Sequence, residues 1–417
     1  MKNKSFIKNF SLVMSSSASA QLITFLFIPV LSRVYSPEVL GIQNLFLSLT
    51  TILIPIGALT LPMAIVLVKR EIDINKLASA CLNISIFLFL LLNLAAFLIA
   101  YLAPNVSFVR GLGGWLYLVP TYLLILTATE VNKKIIVKRK NYLGLSKVNI
   151  ISSFIGNFSK TIFGLISPTA SSLFISLNIS AVLTSLYSFK KSGFSYIIIP
   201  KKRMKLFLKK YHDFPMFRCP QMLINAFSQD IPVILFSGMY GLSIVGYYGM
   251  ARVFLTAPVN LMGSTVNSLL YPRFVEKLNA KEDVFTLLKY STAGLALISI
   301  IPFALIYLYG EQVFVFILGS EWGGAGKIAE IMCVMSFFSL IARPSISIIP
   351  VINYQKIFLN FEVVSCLFRV ASIFLGFNYF SNYLDVIMLL SFFSAFIYFF
   401  LTSMIFFVVY KNKFKSR

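Results

Sequence analysis

The amino-acid sequence predicts an all-α integral membrane protein that crosses the bilayer about twelve times. Hydrophobic residues make up 58% of the chain and charged residues only 12%, which is too little charge to cover a soluble domain. The apolar residues form continuous runs, each near the ~20 residues that a helix needs to cross a hydrocarbon core of ~30 Å. These runs lack the alternation of barrel strands, so helices are favoured over a barrel.

Twelve apolar segments follow one another along the chain. They cover residues 10–32, 40–68, 77–102, 112–132, 145–166, 170–189, 214–237, 242–270, 286–309, 325–349, 357–377 and 384–409. Eleven or thirteen spans stay open, because the segments near 167–170 and 237–242 are short. The start resembles a secretory leader ending at Ala18-Ser19-Ala20, but the apolar run continues to Leu31, so we interpret it as an uncleaved first span.

Basic residues are concentrated in alternate gaps between the spans. They occur within segments 2–8, 69–76, 133–140, 190–210, 273–281 and 411–417, and at Lys356. Because cytoplasmic loops carry the excess of Lys and Arg, both termini are predicted to be cytoplasmic, which requires an even number of spans. This topology accounts for the net charge of +23. No nucleic-acid partner is therefore predicted, and the basic loops are expected to face anionic membrane lipids.

A weak internal repeat divides the chain into two halves, in which Gln, Pro, Tyr, Gly and Pro recur in the same order. The repeat is carried by Gln21, Pro29, Tyr35, Gly41 and Pro55, and again by Gln221, Pro232, Tyr240, Gly246 and Pro258. The longest basic gap lies between the two sets. The sequence therefore predicts an N-terminal six-helix lobe, 1–200, and a C-terminal six-helix lobe, 201–417, related by an axis along the membrane normal.

The sequence offers little that could support catalysis. Its single histidine, His212, lies in a basic segment and lacks the partners of a zinc site or a His-based triad. Gly326-Lys327 is not preceded by the first glycine of a phosphate-binding loop, and the four cysteines are scattered. No catalytic residue, cofactor or metal is predicted, and the chain is expected to be a transporter and not an enzyme.

Charged side chains inside the spans indicate a ligand. Lys160, Arg252, Arg343 and Arg369 lie within predicted spans, where a lipid-facing charge costs roughly 2.5–3.5 kcal/mol at the midplane. They are therefore expected to face the bundle interior, a water-filled cavity or a partner. Lys160 and Arg252 have no acidic neighbour in their own helices, which predicts an anionic ligand such as a diphosphate. For Arg369, an electrostatic pair with Glu362 explains the pattern equally well.

Polar side chains accompany these charges in the first and seventh spans. They are Ser15, Ser16, Ser17, Ser19 and Gln21, and Gln221, Asn225, Ser228 and Gln229. They fit the wall of a wet cavity whose groups could bind sugar hydroxyls, and helix packing through small residues is the competing explanation for the serines. Asp230 is interpreted either as an acid that couples transport to protons or Na⁺, or as the partner of a cavity cation such as Arg252.

Several motifs in both halves resemble one family of membrane proteins. They are Gln21-Leu22-Ile23, the segments 28–41, 213–215, 245–248, 270–274 and 316–326, and Pro258. In their order and spacing they resemble bacterial polysaccharide flippases of the Wzx type, which belong to the multidrug/oligosaccharidyl-lipid/polysaccharide exporter superfamily. The resemblance extends to about residue 330, and the last two spans carry little of it.

This resemblance implies two six-helix lobes around a central cationic cavity, in the bacterial inner (cytoplasmic) membrane. It implies that an undecaprenyl-diphosphate-linked oligosaccharide, an O-antigen or capsule repeat unit, is moved from the cytoplasmic to the periplasmic leaflet by alternating access. Membrane lipids are expected partners, and other polysaccharide assembly proteins are further partners that the resemblance allows.

Two other functions stay open: a drug or cation antiporter of the same superfamily, and an integral polysaccharide polymerase. An acidic cavity would favour the antiporter, whereas the charges inside these spans are mostly positive. The candidate substrate-binding residues are Arg252, Lys160, Gln21, Arg33, Gln221, Asn225 and Arg218, and the candidate coupling residue is Asp230. Arg218 lies near the cytoplasmic end of its span, where a side chain that snorkels to the membrane surface is expected.

Overall fold

The structure, a computed structural model, describes residues 2–280, 282–352 and 354–415, and every regular element in these residues is a helix. Lys281 and Arg417, two of the basic residues that indicate the cytoplasmic side, lie outside them. Eleven segments of the described residues are long and apolar enough to span a membrane. The helix Tyr142–Ile166 is also long enough but more polar. The prediction of an all-α membrane protein with about twelve spans is therefore confirmed.

The first of two compact units is Met1–Val245. Its helices are α1 (Lys2–Val34), α2 (Pro37–Gly57), α3 (Glu71–Leu102), α4 (Ser107–Leu112), α5 (Leu118–Lys138), α6 (Tyr142–Ile166), α7 (Ala170–Ser192), α8 (Lys201–Lys210) and α9 (Cys219–Met239). Helix α1 packs against α6, α6 against α7, and α2 against α9. Two helix starts follow from local sequence: Ser36 caps α2 before Pro37, and the Asn141 side chain accepts from the Gly144 amide of α6.

The second compact unit is Gly246–Arg417. It contains most of α10 (Leu242–Asn279), and α11 (Val284–Leu318), α12 (Gly323–Ile341), α13 (Arg343–Ile348), α14 (Gln355–Tyr379) and α15 (Tyr383–Lys415). Helix α12 packs against α11 and α15, and α14 packs against α15. The predicted lobes, 1–200 and 201–417, follow the repeat and stay a prediction. The division into compact units differs from this prediction: α9 belongs to the first unit, because it packs against α2.

The predicted second span, 40–68, is not one continuous helix. Helix α2 ends at Gly57, and Leu59 and Thr60 adopt positive φ angles of 52° and 54° before a 3-10 helix, Leu61–Leu67. Pro62 lacks an amide donor and so cannot continue the α-helical hydrogen-bond ladder. The tenth predicted span, 325–349, is likewise divided between α12 and α13.

Helix α11 is longer than the predicted span 286–309, and it bends where that span ends. Tyr309 has non-helical dihedral angles, φ −133° and ψ 21°. Beyond the bend, the Glu311 amide donates to the Glu330 carboxylate of α12 at 2.8 Å. A Cβ on Gly326 would lie 2.5 Å from the Glu311 Cα, so the two helices touch backbone to backbone. A side chain from the neighbouring helix thus satisfies the amide at the bend.

A short helix lies in the gap 190–210, where the sequence analysis expected only a basic loop. In α8, Met204, Phe207 and Leu208 pack against a core cluster of the first unit that includes Ile74 and Leu77. Lys205, Lys209 and Lys210 are exposed. Alternation of lysines with apolar residues in so short a segment gives the helix one basic and one apolar face.

Candidate substrate-binding site

A polar cavity of about 430 Å³ lies in the first unit, where α1, α5 and α6 meet. Its lining consists of Ser17, Ala20, Gln21, Thr24, Lys133, Asn149, Ser152 and Ser153. All of these except Ala20 have a side chain that can form hydrogen bonds, and only Lys133 is charged. A volume of this order falls within the range of ligand-binding pockets, about 300–1,000 Å³.

One wall of the cavity is a hydrogen-bonded seam between α1 and α6. The hydroxyls of Thr24 and Ser153 lie 3.0 Å apart, and Ser153 donates to the Ala20 carbonyl at 2.6 Å. The Asn157 amide donates to the Thr24 hydroxyl at 3.2 Å. Small side chains allow two membrane helices to approach closely enough for such bonds. This seam, which comprises Ala20, Thr24, Ser153 and Asn157, holds the cavity wall in place.

Three polar side chains of the lining remain available to a ligand. Gln21, Asn149 and Ser152 are half-buried and make no side-chain hydrogen bond to other described residues. The sequence analysis included Gln21 and the serines of α1 in a polar stripe, and the structure adds the facing residues of α6. These residues were missed because no pattern in the sequence pairs α6 with α1.

The single charge of the lining, Lys133, was also missed. The adjacent Lys134 forms an ion pair with Glu130 at 3.6 Å. Lys133 instead faces the cavity and forms no ion pair within the described residues. Both lysines belong to the basic segment that indicates topology, and nothing in the sequence separates them. Only the rotation of α5 assigns Lys133 to the cavity.

Lys160 lies further along α6, seven residues after Ser153. Seven residues are two helical turns, so the two lie on the same face, about 10 Å apart along the axis. Lys160 is half-buried and forms no ion pair within the described residues.

The backbone beside Lys160 is fixed by the Tyr35 hydroxyl, which donates to the Lys160 carbonyl at 2.8 Å. Burial raises the pKa of Tyr35 to about 12, so its hydroxyl remains a donor at physiological pH. A Cβ on Gly164 would lie 2.6 Å from the Tyr35 ring, so the absence of a side chain there makes room for it. Arg33, near the end of α1, is exposed.

The candidates on and before α9 occupy different environments. Arg218 is exposed, in a π-helical turn, Phe214–Arg218, and donates to the Gln221 side chain at 3.0 Å. Asn225 is exposed and Gln221 half-buried. The structure thus brings Arg218 and Gln221 together, whereas Asn225 lies one turn further along the helix.

The candidate coupling residue is buried against a neighbouring helix. Asp230 is only 5% exposed, and the Ser48 hydroxyl of α2 donates to its carboxylate at 3.3 Å. A buried carboxylate needs hydrogen bonds of this kind. Ser48 had not been singled out in the sequence, because a lone serine in an apolar span carries no signal.

In the second unit, one face of α10 carries a polar stripe that includes Arg252, Thr256, Asn260, Ser264 and Asn267. Their spacings of three and four residues align them along the helix. Arg252 is half-buried, while Asn260, Ser264 and Asn267 are exposed. Hydrocarbon cannot satisfy such side chains, so this face is expected to line a water-filled space.

Helix α13 adds two polar contacts to this stripe. The Arg343 guanidinium donates to the Asn260 side chain at 3.4 Å, and the Ser347 hydroxyl donates to Asn267 at 2.7 Å. We call Arg343, Ser347, Asn260 and Asn267 the α10–α13 seam. The sequence analysis noted Arg343 as a charge within a span but did not include it among the binding residues.

Arg369 has a different role from the other arginines. It is 7% exposed, donates to the Tyr398 hydroxyl of α15 at 3.3 Å, and lies over that ring at 5.9 Å from its centre. These contacts join α14 to α15. Within the described residues there is no group of three or more His, Cys, Asp or Glu that could hold a metal ion.

The fold is that of transporters of the MOP superfamily. The Lipid II flippase MurJ in an inward closed conformation is 13% identical with a TM-score of 0.76, over 97% of this chain and 90% of that chain. An inward-facing multidrug resistance MATE family transporter is 15% identical with a TM-score of 0.67, over 97% and 99%. A MOP superfamily transporter from Pyrococcus furiosus is 14% identical with a TM-score of 0.63, over 97% and 95%.

The family follows from the sequence. A family described as polysaccharide biosynthesis protein matches residues 30–327, and the chain belongs to it. The succinoglycan biosynthesis transport protein ExoT of Rhizobium meliloti (strain 1021) is 23% identical over 316 residues, which are 74% of this chain and 62% of that protein. The chain thus spans less than two thirds of this curated relative. The resemblance to polysaccharide flippases of the superfamily is confirmed, and the expectation of a transporter agrees with these relatives.

Proposed function

We propose that this protein is a flippase that moves an undecaprenyl-diphosphate-linked oligosaccharide from the cytoplasmic to the periplasmic leaflet of the bacterial inner membrane by alternating access. The observation that carries the proposal is the cavity of the first unit, whose lining is polar and almost neutral. Sugar hydroxyls both donate and accept hydrogen bonds, and the side chains of Gln21, Asn149 and Ser152 can do the same.

The charge of the cavity separates this function from the alternatives. A carrier of cationic drugs needs acidic groups in its cavity, whereas the lining here contains no carboxylate and one lysine. Lys133 instead provides a cation for a phosphate or an acidic sugar. The MurJ relative is a lipid II flippase by name and the ExoT relative a succinoglycan biosynthesis transport protein, and both names support a lipid-linked glycan as the cargo.

The proposed topology assigns the cavity to the cytoplasmic side. With a cytoplasmic N-terminus, Ser17 and Gln21 belong to the cytoplasmic half of the span Met14–Val34 in α1, and Lys133 to the cytoplasmic end of α5. A lipid-linked precursor made in the cytoplasm would meet this cavity first. An O-antigen or capsule repeat unit is the expected cargo. Arg252 of the second unit and Lys160 of the first are each proposed as substrate-binding residues, as are Arg33, Gln221, Asn225 and Arg218.

Paired lysine variants test the cavity. Lys133→Gln is expected to reduce export of surface glycan about tenfold, because one charge-assisted hydrogen bond is lost. The matched control is Lys134→Gln, which removes the adjacent charge from its pair with Glu130 and should leave export unchanged. Glycan is measured in cells that depend on the plasmid-borne gene, and membrane levels of each variant are compared. Equal export by both variants would contradict a role for the cavity.

A further inference from the structure

Arg343 is a cation inside a membrane span with no anionic partner among the described residues. Of its described neighbours, the Asn260 amide oxygen accepts a long bond of 3.4 Å, and Tyr398 of α15 interacts with it electrostatically. Its Nε is buried and has no hydrogen-bond partner in the part of the chain that the structure describes. No described carboxylate lies within 4.0 Å of the guanidinium.

The surroundings of Arg343 hold its side chain in one place. A Cβ on Gly263 of α10 would lie 3.0 Å from the Cδ and Nε of Arg343, so the arginine stem crosses α10 where that helix has no side chain. The guanidinium then reaches Asn260 on the exposed polar stripe. A guanidinium fixed by its stem presents its donors in a planar fork, which matches the oxygen atoms of a phosphate.

We infer that Arg343 and Asn260 form a phosphate-binding subsite of the second unit, which binds the diphosphate of the lipid carrier. This inference rests on the proposed function and deepens it by adding a residue to the binding set. The guanidinium donates to phosphate oxygens, and the Asn260 side chain can donate through its amide nitrogen. The Gly263 gap determines where the fork lies, so that residue has a positioning role without contact with the ligand.

A membrane phospholipid has the same phosphate chemistry, so both sources are tested. Full-length protein in dodecyl maltoside is titrated with geranylgeranyl diphosphate and, separately, with phosphatidylglycerol, and binding is measured by microscale thermophoresis. Arg343→Gln is expected to weaken diphosphate binding about tenfold or more, because a charge-assisted fork is lost. Phosphatidylglycerol binding should not change. The affinity of Arg343→Lys for the diphosphate should lie between those of wild type and Arg343→Gln.

Two further variants test whether weaker diphosphate binding has another cause, such as a destabilised helix or the loss of any positive charge. Gly263→Ala keeps the charge but pushes the guanidinium aside, and alanine is the better helix former, so weaker diphosphate binding cannot be assigned to a weaker helix. Arg273→Gln removes an exposed cation further along α10 and should leave binding unchanged. Each variant is first compared with wild type for its melting temperature. If Arg343→Gln does not fold, the diphosphate affinity of Gly263→Ala alone decides whether the subsite exists.

Unchanged diphosphate binding in both Arg343→Gln and Gly263→Ala would overturn the inference. So would a loss that is equal for phosphatidylglycerol, since the subsite would then take lipid phosphate in general. Binding is measured without a sugar and without transport, so it can depend on Arg343 even if the protein moves no glycan. Conversely, a protein that exports glycan and binds diphosphate independently of Arg343 would refute this subsite and leave the proposed function intact.

Discussion

The α1–α6 seam of the first unit and the α10–α13 seam of the second are both polar, yet their hydrogen bonds are distributed differently. In the first, hydroxyl and amide groups satisfy one another at 2.6–3.2 Å, and the cavity beside them is almost neutral. In the second, a guanidinium has one long bond to an amide, and its Nε has no partner in the described residues. The nearly neutral cavity beside the satisfied seam suits sugar binding, and an unsatisfied cation suits a phosphate.

Charge reversal in the second unit should have the largest effect. Arg252→Glu is expected to reduce glycan export about 100-fold or more, because it replaces a cation of the polar α10 face by an anion that repels phosphate. Arg252→Lys should retain more export than Arg252→Ala, since it keeps the charge and loses only the fork. Surface glycan is measured in cells with matched membrane levels of each variant. Normal glycan with Arg252→Glu would rule out an essential contact there.

Separating α1 from α6 should break the satisfied seam. Gly164→Ala places a Cβ 2.6 Å from the Tyr35 ring and is expected to lower the free energy of unfolding by about 1–3 kcal/mol through overpacking. Gly294→Ala in α11 is the matched control, because a Cβ there meets nothing within 4 Å. Melting of the detergent-solubilised protein compares the two. A control that loses as much stability as Gly164→Ala would show that contact with Tyr35 is not the cause.

Two roles of Asp230, coupling to an ion gradient and pairing with a cation, can be distinguished by measuring how transport responds to an imposed ion gradient. If Asp230 is the coupling acid, Asp230→Asn should lose gradient-driven flipping in vesicles, a several-fold fall, while substrate binding persists. The alternative, a pair with a cavity cation, predicts that adding Arg252→Gln restores part of the loss. A single variant that still responds fully to an imposed ion gradient would exclude the coupling role.

Removal of one hydroxyl should have the smallest effect. Ser153→Ala deletes the bonds to Ala20 and Thr24 and is expected to lower the free energy of unfolding by about 0.6 kcal/mol, a typical value for polar contacts between membrane helices. Ser152→Ala, whose hydroxyl has no described bond, should leave stability unchanged. Equal melting temperatures for both variants would mean that packing, and not hydrogen bonding, holds this seam.

The sequence predicts the spans well because a membrane helix can be recognised from its length and apolar composition alone. It predicts Gln21 as a cavity residue for a related reason, since a polar group within a span needs a polar environment. It could not predict Lys133, which differs from Lys134 only in the direction it faces. Nor could it predict the setting of Arg343, which depends on Gly263 of another helix.

Interruptions of the helices were harder to predict than the helices themselves. Pro62 indicates where hydrogen bonding fails in the second span, but proline is common in membrane helices, so its presence alone does not locate the break. Helix α8 was missed because ten residues rich in lysine resemble a loop, and its apolar face matters only once the core cluster beneath it exists.

The bend of α11 at Tyr309 has a mechanical consequence. A kink that leaves its amide unbonded can act as a hinge, whereas here the Glu330 carboxylate accepts from the Glu311 amide and the backbones touch at Gly326. Straightening the helix would break that bond and separate the contact. We therefore expect α11 and α12 to move as one rigid body that keeps its bend. Hydrogen exchange at the Glu311 amide should be slow, and bending during transport should occur elsewhere in the chain.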